Sequence, residues 1–464
     1  MPENVSSDTG RIPLSSRQDW CWEWTRSYDP ASYSMDLTWA LRLRGSLDVG
    51  ALRDAVAEVT SRHDALRLAL VTGTAHPLDD PRPVQRVTGG YVPLDVVGVG
   101  ASHSSEEAID RITSLPLDLT GPLVRLTLIR LAPDEHVFVL AFHHMVFDGA
   151  SRRILMRELT EAYNRRMGAM STPAPTADFS YVDFARRDNA PDVLASKRLR
   201  VADRARVLRE HGSAEPLGGT GVALSALTGD YRLIPMTFTT GQVTSIRRSA
   251  RAARISVYSL LLAALVRSVG EVYGRDRLVG TTIAHGRTEA GSTSAIGLFC
   301  APVEMAFDLG VRDPADFLHH VHGAVRHAAN LADLPSGEKA SSVLVREGDD
   351  AFFRTCLSHL DFRLTGITGL VLDRPDGPIP FHGLDARLWE YPRTFPELIY
   401  ASAQAARGNA GTLFLDLRMS DGELTGFLCY EAGYHDESSV RAVADLFRRL
   451  TVQLPLLTGR LQGA

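Results

Sequence analysis

The sequence predicts a mixed α/β protein of two domains, and three observations carry this prediction. The chain has 464 residues, more than a single hydrophobic core usually organises. Short runs rich in Val, Leu, Ile and Phe alternate with segments whose apolar residues recur at helical spacing. The run GAMSTPAPT at residues 168–176 combines small residues with prolines and has the composition of a linker. We therefore expect one domain at 1–175 and a second at 176–464.

Both halves contain strands and helices by pattern. The elements predicted in the first half are a strand at 38–43, a helix from Val49 with Asp48 as its N-cap, a hairpin of strands at 123–131 and 136–142, and a helix after Gly149. Those predicted in the second half are a charged, solvated helix ending near Ala214, a helix at 256–273, a strand at 277–283, a hairpin at Asp421-Gly422 and a helix from Glu437 to about Leu454.

Composition disfavours several functional classes. Charged residues make up 23% of the chain and the net charge is −5, so there is no basic field for nucleic acid. The four cysteines form no CxxC pair, which argues against structural zinc and a disulfide scaffold. The N-terminus lacks signal-peptide features, and the longest apolar stretch, residues 255–266, is too short to span a bilayer. We expect a soluble, cytoplasmic protein.

The segment FVLAFHHMVFDGAS, residues 138–151, is the strongest functional candidate. His143 and His144 end an apolar run, Asp148 and Gly149 follow on the same loop, and helical periodicity begins after Gly149. A neutral imidazole on such a loop is able to take a proton from a nucleophile and return it to a leaving group. Asp148 is able to fix the loop by accepting hydrogen bonds or pairing with an Arg, and Gly149 allows a tight backbone where a Cβ would collide. Neighbouring side chains of an extended backbone point in opposite directions, so only one histidine faces a substrate.

A histidine pair by itself is weak support for catalysis. His143 and His144 would serve equally well as core or surface residues. The pair at His319 and His320 fits a partly exposed helix, and a metal site built there with His322 would lack nearby carboxylates. No metal and no permanently bound cofactor are therefore expected.

The complete string His143-His144-Met145-Val146-Phe147-Asp148-Gly149 resembles the HHxxxDG signature of condensation domains of nonribosomal peptide synthesis and their acyltransferase relatives. Further segments resemble motifs of the same family in the same order. They are Leu14-Ser15-x-x-Gln18 with Trp22, Arg62 to Arg67, Pro116 to Leu119, Gly121 to Arg125, Tyr181 to Ala185, Asp276 to Arg287 and Ile296 to Phe299. With the C-terminal hairpin and helix, the resemblance covers the whole chain.

The resemblance implies two chloramphenicol-acetyltransferase-like subdomains arranged as a V, with the active site in a tunnel between them. It also implies that His144 is the catalytic histidine, that His143, Asp148 and Gly149 complete the catalytic loop, and that Asp148 pairs with Arg287 as structural support. The acyl group would arrive as a thioester on the phosphopantetheine arm of a carrier protein. No acyl-enzyme is expected, consistent with the lack of a GxSxG motif.

Two departures from the family pattern affect the expected acceptor pocket. Ala301 stands where an Asn is common, and His285-Gly286 replaces the usual Ala-Asn before Arg287. The nature of the acceptor is therefore not carried over from the family. Both an amine, giving an amide, and an alcohol, giving an ester, stay open.

Three functions follow from these patterns. The leading expectation is a free-standing condensation enzyme that takes an acyl or aminoacyl group from a carrier protein in natural-product biosynthesis, such as that of antibiotics. The second is an acyl-CoA-dependent acyltransferase of the same superfamily, for which Asp361-Phe362-Arg363 is a poor match to the expected DFGWG-like motif. The third is a catalytically inactive recruitment platform, which would not need an intact His143 to Gly149 loop.

Overall fold

The computed structural model describes most of the chain. The described residues are 10–27, 35–74, 77–80, 83–98, 105–170, 178–211, 230–334, 360–365, 378–389, 413–420 and 422–459, with 173, 174, 176 and 217. Contacts within the chain divide it into two compact units. The first comprises residues 1–195, 287–299 and 374–396, and the second comprises 196–286, 300–373 and 397–464.

The first unit contains a five-stranded sheet of order β11-β1-β6-β5-β4 and a separate β2-β3 pair. Its strands are β1 (Asp36–Gly45), β2 (Leu68–Val71), β3 (Val84–Val87), β4 (Leu94–Gly98), β5 (Val124–Ala132), β6 (Glu135–His143) and β11 (Leu384–Leu388). Its helices are α1 (Ser16–Ser27), α2 (Val49–Arg62), α3 (Ser105–Thr113), α4 (Gly149–Arg166) and α5 (Tyr181–Asp188). The predicted hairpin is confirmed, since β5 and β6 pair antiparallel.

Strand β6 forms the buried centre of this unit. Every residue from His136 to His143 is less than 9% exposed, since β1 and β5 flank the strand and α3 packs against it. Helix α4 follows β6 as predicted and buries Ile154, Leu155 and Leu159. The N-cap predicted for α2 is also present, since Asp48 accepts a hydrogen bond from the Ala51 N–H.

The second unit contains a six-stranded sheet of order β7-β13-β12-β10-β8-β9. Its strands are β7 (Tyr231–Phe238), β8 (Arg277–Ala284), β9 (Ala301–Asp308), β10 (Leu360–Thr365), β12 (Leu413–Ser420) and β13 (Glu423–Glu431). Its helices are α7 (Thr240–Ala252), α8 (Val257–Tyr273), α9 (Pro314–Ala329) and α10 (Glu437–Gly459), and α6 (Pro191–His211) begins at the end of the first unit. Residues 260–266 of α8 are at most 1% exposed, so this helix forms the centre of the core.

The division differs from the single boundary predicted between residues 175 and 176. Helix α5 lies in the first unit, because Asp64 accepts hydrogen bonds from the Tyr181 N–H and the Ser180 hydroxyl. Two later segments, 287–299 and 374–396, also belong to the first unit. Composition marks where a chain is irregular, but it does not show where a later segment returns to an earlier sheet.

The prediction that the charged helix α6 is solvated is wrong for part of its surface. Lys197 and Arg204 are 3% and 6% exposed, and Arg204 Nη1 lies 3.4 Å from Glu304 Oε2. Val201, between them, is 1% exposed. The charge run therefore contains a buried face, on which the Arg204 charge is paired with that of Glu304.

The structure bears on the sequence predictions about cysteines and membrane helices only for the residues that it describes. Cys21, Cys300 and Cys429 are buried and form no disulfide among the described residues, and Cys356 lies outside those residues. Across the described ranges, no single helix is long and apolar enough to cross a membrane. Helices α7 and α8 reach that length and apolarity only as a pair, bent by 100° at the break between them.

Candidate active site

The catalytic-loop candidate joins β6 to α4. Strand β6 ends at His143, residues His144–Val146 form one 3-10 turn, and α4 begins at Gly149 with Asp148 as its N-cap. The sequence places the loop here because the apolar run ends at His143 and Asp148 has the side chain that caps a helix. A rigid strand and a capped helix therefore hold both ends of the loop.

His143 points into the protein. Its side chain is 2% exposed, and its Nδ1 accepts a hydrogen bond from the Met145 N–H at 3.2 Å. Burial, and the neighbouring His144, lower the pKa of His143 to about 3. His143 is therefore neutral at physiological pH and supports the turn rather than exchanging protons.

His144 is half-buried, and its proton position is fixed by the backbone. Its Nδ1 lies 2.8 Å from the carbonyl oxygen of Phe147, which only accepts hydrogen bonds. Nδ1 therefore carries the proton, and the lone pair of the neutral ring lies on Nε2. The ring of Trp20 in α1 stands edge-on to the imidazole, with centroids 6.4 Å apart. These two contacts hold the imidazole in one tautomer and one orientation.

Asp148 connects the loop to a second segment of the same unit. Its Oδ1 accepts hydrogen bonds from the Ser151 N–H at 2.8 Å and from Arg287 Nη2 at 2.7 Å. Its Oδ2 accepts from the Phe299 N–H at 3.1 Å. Asp148 and Arg287 are 2% and 8% exposed, so the expected ion pair is present and buried. The carboxylate caps α4 and fixes residues 287–299 beside the histidine loop.

Arg287 is held from several directions. Its Nη1 donates to the carbonyl oxygens of Ser292 and Ala295 at 2.5 and 2.6 Å. Its guanidinium also stacks over the ring of Phe299, 4.3 Å from the centroid. The planar group thus orders the segment it belongs to as well as the Asp148 carboxylate.

Ser151 is a site residue that the sequence did not identify. Its side chain is fully buried, and its hydroxyl lies 2.8 Å from Asp148 Oδ1 and 2.9 Å from the Gly297 carbonyl oxygen. Ser151 Oγ also accepts hydrogen bonds from the Gly297 N–H at 3.1 Å and from Arg287 Nη2 at 3.0 Å. A serine three residues after an N-cap gave no signal of these long-range contacts.

Residues from three other sequence motifs hold the same region. Gln18 Nε2 donates to the carbonyl oxygen of Met145 at 3.1 Å, within the histidine turn. The Tyr181 hydroxyl donates to the Leu298 carbonyl oxygen at 2.8 Å, and Arg17 Nε donates to that of Phe299 at 2.8 Å. Motifs far apart in sequence therefore meet at the histidine turn and the 287–299 segment, although sequence alone gave Gln18 and Tyr181 no role.

The two unusual glycine positions differ in conformation. Gly149 is the first residue of α4 and does not have a positive φ. Gly286 has a φ of 60°, in the left-handed region. Asn also tolerates this region better than most residues, which explains why Gly286 can stand where the family commonly has Asn. The other departure, Ala301, is the first residue of β9 and is 2% exposed.

Two of the histidines of α9, His320 and His322, are bound by protein groups. His320 Nε2 accepts from the Asp308 N–H at 3.0 Å, and His322 Nδ1 lies 2.9 Å from the Ser259 hydroxyl. Within the ranges that the structure describes, no cluster of three or more His, Cys, Asp or Glu side chains is arranged to hold a metal ion.

Comparisons with known proteins agree with the order of the motifs around this site. Residues 8–204 match the family model of the condensation domain. The chain belongs to the condensation-domain family. It is a condensation domain of the nonribosomal peptide synthetase type, and condensation domains as a class are acyltransferases that work with carrier-protein domains.

The condensation domain resembles segments of much longer synthetases. It is 27% identical over 96% of its length to CymA of Salinispora arenicola, a probable non-canonical nonribosomal peptide synthetase, and spans 5% of that protein. It is 28% identical over 71% of its length to the phosphinothricin tripeptide synthetase PhsC of Streptomyces viridochromogenes, and spans 30% of it. The chain thus corresponds to a small part of these relatives.

Solved structures show the same fold. The X-domain from teicoplanin biosynthesis matches with a TM-score of 0.67 at 23% identity, covering 98% of this chain and 96% of that chain. The condensation domain of the monacolin K polyketide synthase MokA matches with a TM-score of 0.69 at 17% identity, covering 96% and 97%. The expected chloramphenicol-acetyltransferase-like fold of two subdomains is confirmed.

Proposed function

We propose that this condensation domain transfers an acyl or aminoacyl group from the phosphopantetheine thioester of a carrier protein to an amine or alcohol. The product is an amide or ester in natural-product biosynthesis. The observation that carries the proposal is the hydrogen bond from His144 Nδ1 to the Phe147 carbonyl oxygen, which leaves the lone pair on Nε2 of a half-buried ring. The phosphopantetheine that bears the acyl group belongs to the carrier protein, so the proposal needs no cofactor bound permanently to this chain.

His144 acts as the general base in this reaction. Nε2 takes the proton as the amine nitrogen or alcohol oxygen attacks the thioester carbonyl carbon. The new C–N or C–O bond forms in a tetrahedral intermediate, and the C–S bond then breaks. The proton passes from the imidazolium to the departing sulfur, so the carrier leaves with a free thiol. Atoms and charge balance without an acyl-enzyme or a redox step.

His143, Asp148, Gly149 and Arg287 support this chemistry without touching the reacting atoms. Asp148 and Arg287 hold the loop from the side of α4, and the buried His143 holds it from the side of β6. An imidazole that is held in one orientation before the substrate arrives loses less entropy in the transition state. These four are therefore positioning residues, and His144 is the catalytic one.

An acyl-CoA donor is the alternative within the same chemistry. The thioester and the proton transfers would be identical, and only the group that carries the thiol differs. Asp361-Phe362-Arg363, the nearest match to the motif expected of CoA users, lies in β10 between β8 and β12. The intact His143 to Gly149 loop supports an enzyme over a recruitment platform. The cytoplasmic location stays a prediction.

A donor-discharge assay tests the proposal. Acylated carrier proteins and the matching acyl-CoA are each offered with amine and alcohol acceptors, and intact-protein mass spectrometry follows loss of the acyl group. We expect discharge of a carrier with formation of product by the wild-type protein and not by His144→Ala. Discharge of acyl-CoA alone would favour the acyl-CoA-dependent acyltransferase. Discharge from no donor would favour the inactive recruitment platform.

A further inference from the structure

The first unit contains a cavity of about 420 Å³ beside α4. Its floor is formed by the sheet side chains Trp39, Leu41 and Leu140, and one wall by residues of α4 from Arg152 to Asn164. Residues 378–380 and Leu388 of β11 close the opposite side. Its volume is within the range of small-molecule sites, and it lies entirely within one compact unit.

The lining surface is mostly apolar and favours an apolar ligand over a peptide, although Arg152, Arg157 and Glu161 also contribute to it. Asn164, at the outer end, donates from Nδ2 to the Pro380 carbonyl oxygen at 2.7 Å and accepts at Oδ1 from the His382 N–H at 2.7 Å. The Thr160 hydroxyl donates to backbone carbonyl oxygens of its own helix at 2.9 Å. These groups are occupied by the protein, whereas an extended peptide brings a donor and an acceptor with every residue. An alkyl or aryl chain has no such requirement.

The cavity runs from the catalytic-loop end of α4 toward its far end. Arg152 and Asn164 are twelve positions apart along the helix, which corresponds to about 18 Å. The Arg152 guanidinium lies 5.2 Å from the Trp39 ring, and Trp39 lies 5.4 Å from the ring of Phe147. Phe147 is the residue whose carbonyl oxygen orients His144. The inner end of the cavity therefore lies beside the aromatic side chains that pack against the catalytic loop.

We propose that this cavity binds the apolar chain of the acyl donor, so that the chain lies along α4 while the thioester lies at His144. This inference rests on the proposed function and names its substrate class as acyl groups with an extended apolar chain. The space between Trp39 and Met156 of α4 then limits the length of the acyl chain that can bind. Trp39 is half-buried, lines the cavity and contacts Phe147 of the loop, so a chain that reaches from His144 into the cavity would pass this side chain.

Calorimetric binding of acyl-pantetheine analogues tests this proposal. The probes are straight-chain acyl amides of two to twelve carbons, in which a nitrogen replaces the thioester sulfur. We expect the wild-type Kd to fall about fourfold for each added methylene until the cavity is filled. Met156→Trp, which fills the cavity, is expected to weaken the longest bound probe at least tenfold and to leave the acetyl probe unchanged. Met156→Ala should extend the series to longer chains.

Arg153→Trp is the matched control, since Arg153 is exposed on the same helix and does not line the cavity. It should bind all probes as the wild type does, and thermal melting verifies that each variant is folded. A Kd that is independent of chain length, or a folded Met156→Trp protein with wild-type affinities, would overturn the assignment of the cavity.

The same probes separate this inference from the proposed function. His144→Ala should retain the chain-length dependence, because the cavity does not include His144. Chain-length-dependent binding without transfer from any donor would sustain the cavity and reject the function. Transfer that requires His144 but shows no chain-length dependence in binding would sustain the function and reject the cavity.

Discussion

At the scale of the residue, adjacent histidines have opposite properties because a strand ends between them. His143 completes β6 and lies inside the protein, where burial lowers its pKa to about 3. His144 begins the 3-10 turn and is half-buried. The alternation of side chains along an extended backbone predicted this difference. It did not predict the Phe147 carbonyl contact, because that depends on how the turn closes.

The lowered pKa of His143 makes folding stability dependent on pH. An unfolded histidine takes up a proton near pH 6.5, whereas folded His143 does so only near pH 3. Between these values the unfolded chain binds more protons, so the contribution of His143 to stability is present above pH 6.5 and is lost as the pH falls toward 3. His143→Asn retains an acceptor for the Met145 N–H but does not titrate.

We therefore expect the unfolding free energy of His143→Asn to decrease less steeply than that of the wild type between pH 6.5 and pH 3. Urea titrations at a series of pH values measure this difference. Equal slopes for the two proteins would show that His143 does not titrate differently in the folded and unfolded states.

At the scale of the element, the start of α4 is both a helix cap and a tertiary anchor. Asp148→Ala removes the cap and leaves the Arg287 guanidinium buried without its carboxylate, so we expect a loss of about 3–5 kcal/mol in unfolding free energy. The matched control is Asp48→Ala, which removes the exposed N-cap of α2 and should cost about 1 kcal/mol. Chemical denaturation compares the two, and equal losses would refute a structural ion pair.

The 287–299 segment depends on a close contact with α5. A Cβ on Gly297 would lie 2.3 Å from Tyr181 Cδ2, and Tyr181 is 1% exposed with its hydroxyl bound to the Leu298 carbonyl oxygen. Gly297→Ala is therefore expected to lower both the melting temperature and the turnover. Gly323→Ala in α9 is the control, since its Cβ meets nothing within 4 Å and an alanine there favours the helix. A Gly297→Ala protein as stable and active as this control would contradict the contact.

At the scale of the whole molecule, sequence patterns predicted the elements better than their grouping. The strands at 38–43 and 277–283 and the helix at 256–273 lie within one to two residues of β1, β8 and α8. Local periodicity determines such elements. By contrast, Arg287 was expected in the second domain and lies in the first unit, and β11 joins β1 more than 300 residues later. Such pairings depend on long-range packing, for which one sequence carries no local signal.

The central claim is that His144 takes the proton of the acceptor. The most direct measurement is the single-turnover rate of acyl transfer by wild-type protein and by His144→Ala, with the donor and acceptor that support turnover. We expect the rate to fall by about 10²–10⁴-fold, the range for loss of a general base, while the melting temperature is unchanged. A His144→Ala protein that transfers the acyl group within threefold of the wild-type rate would contradict the claim.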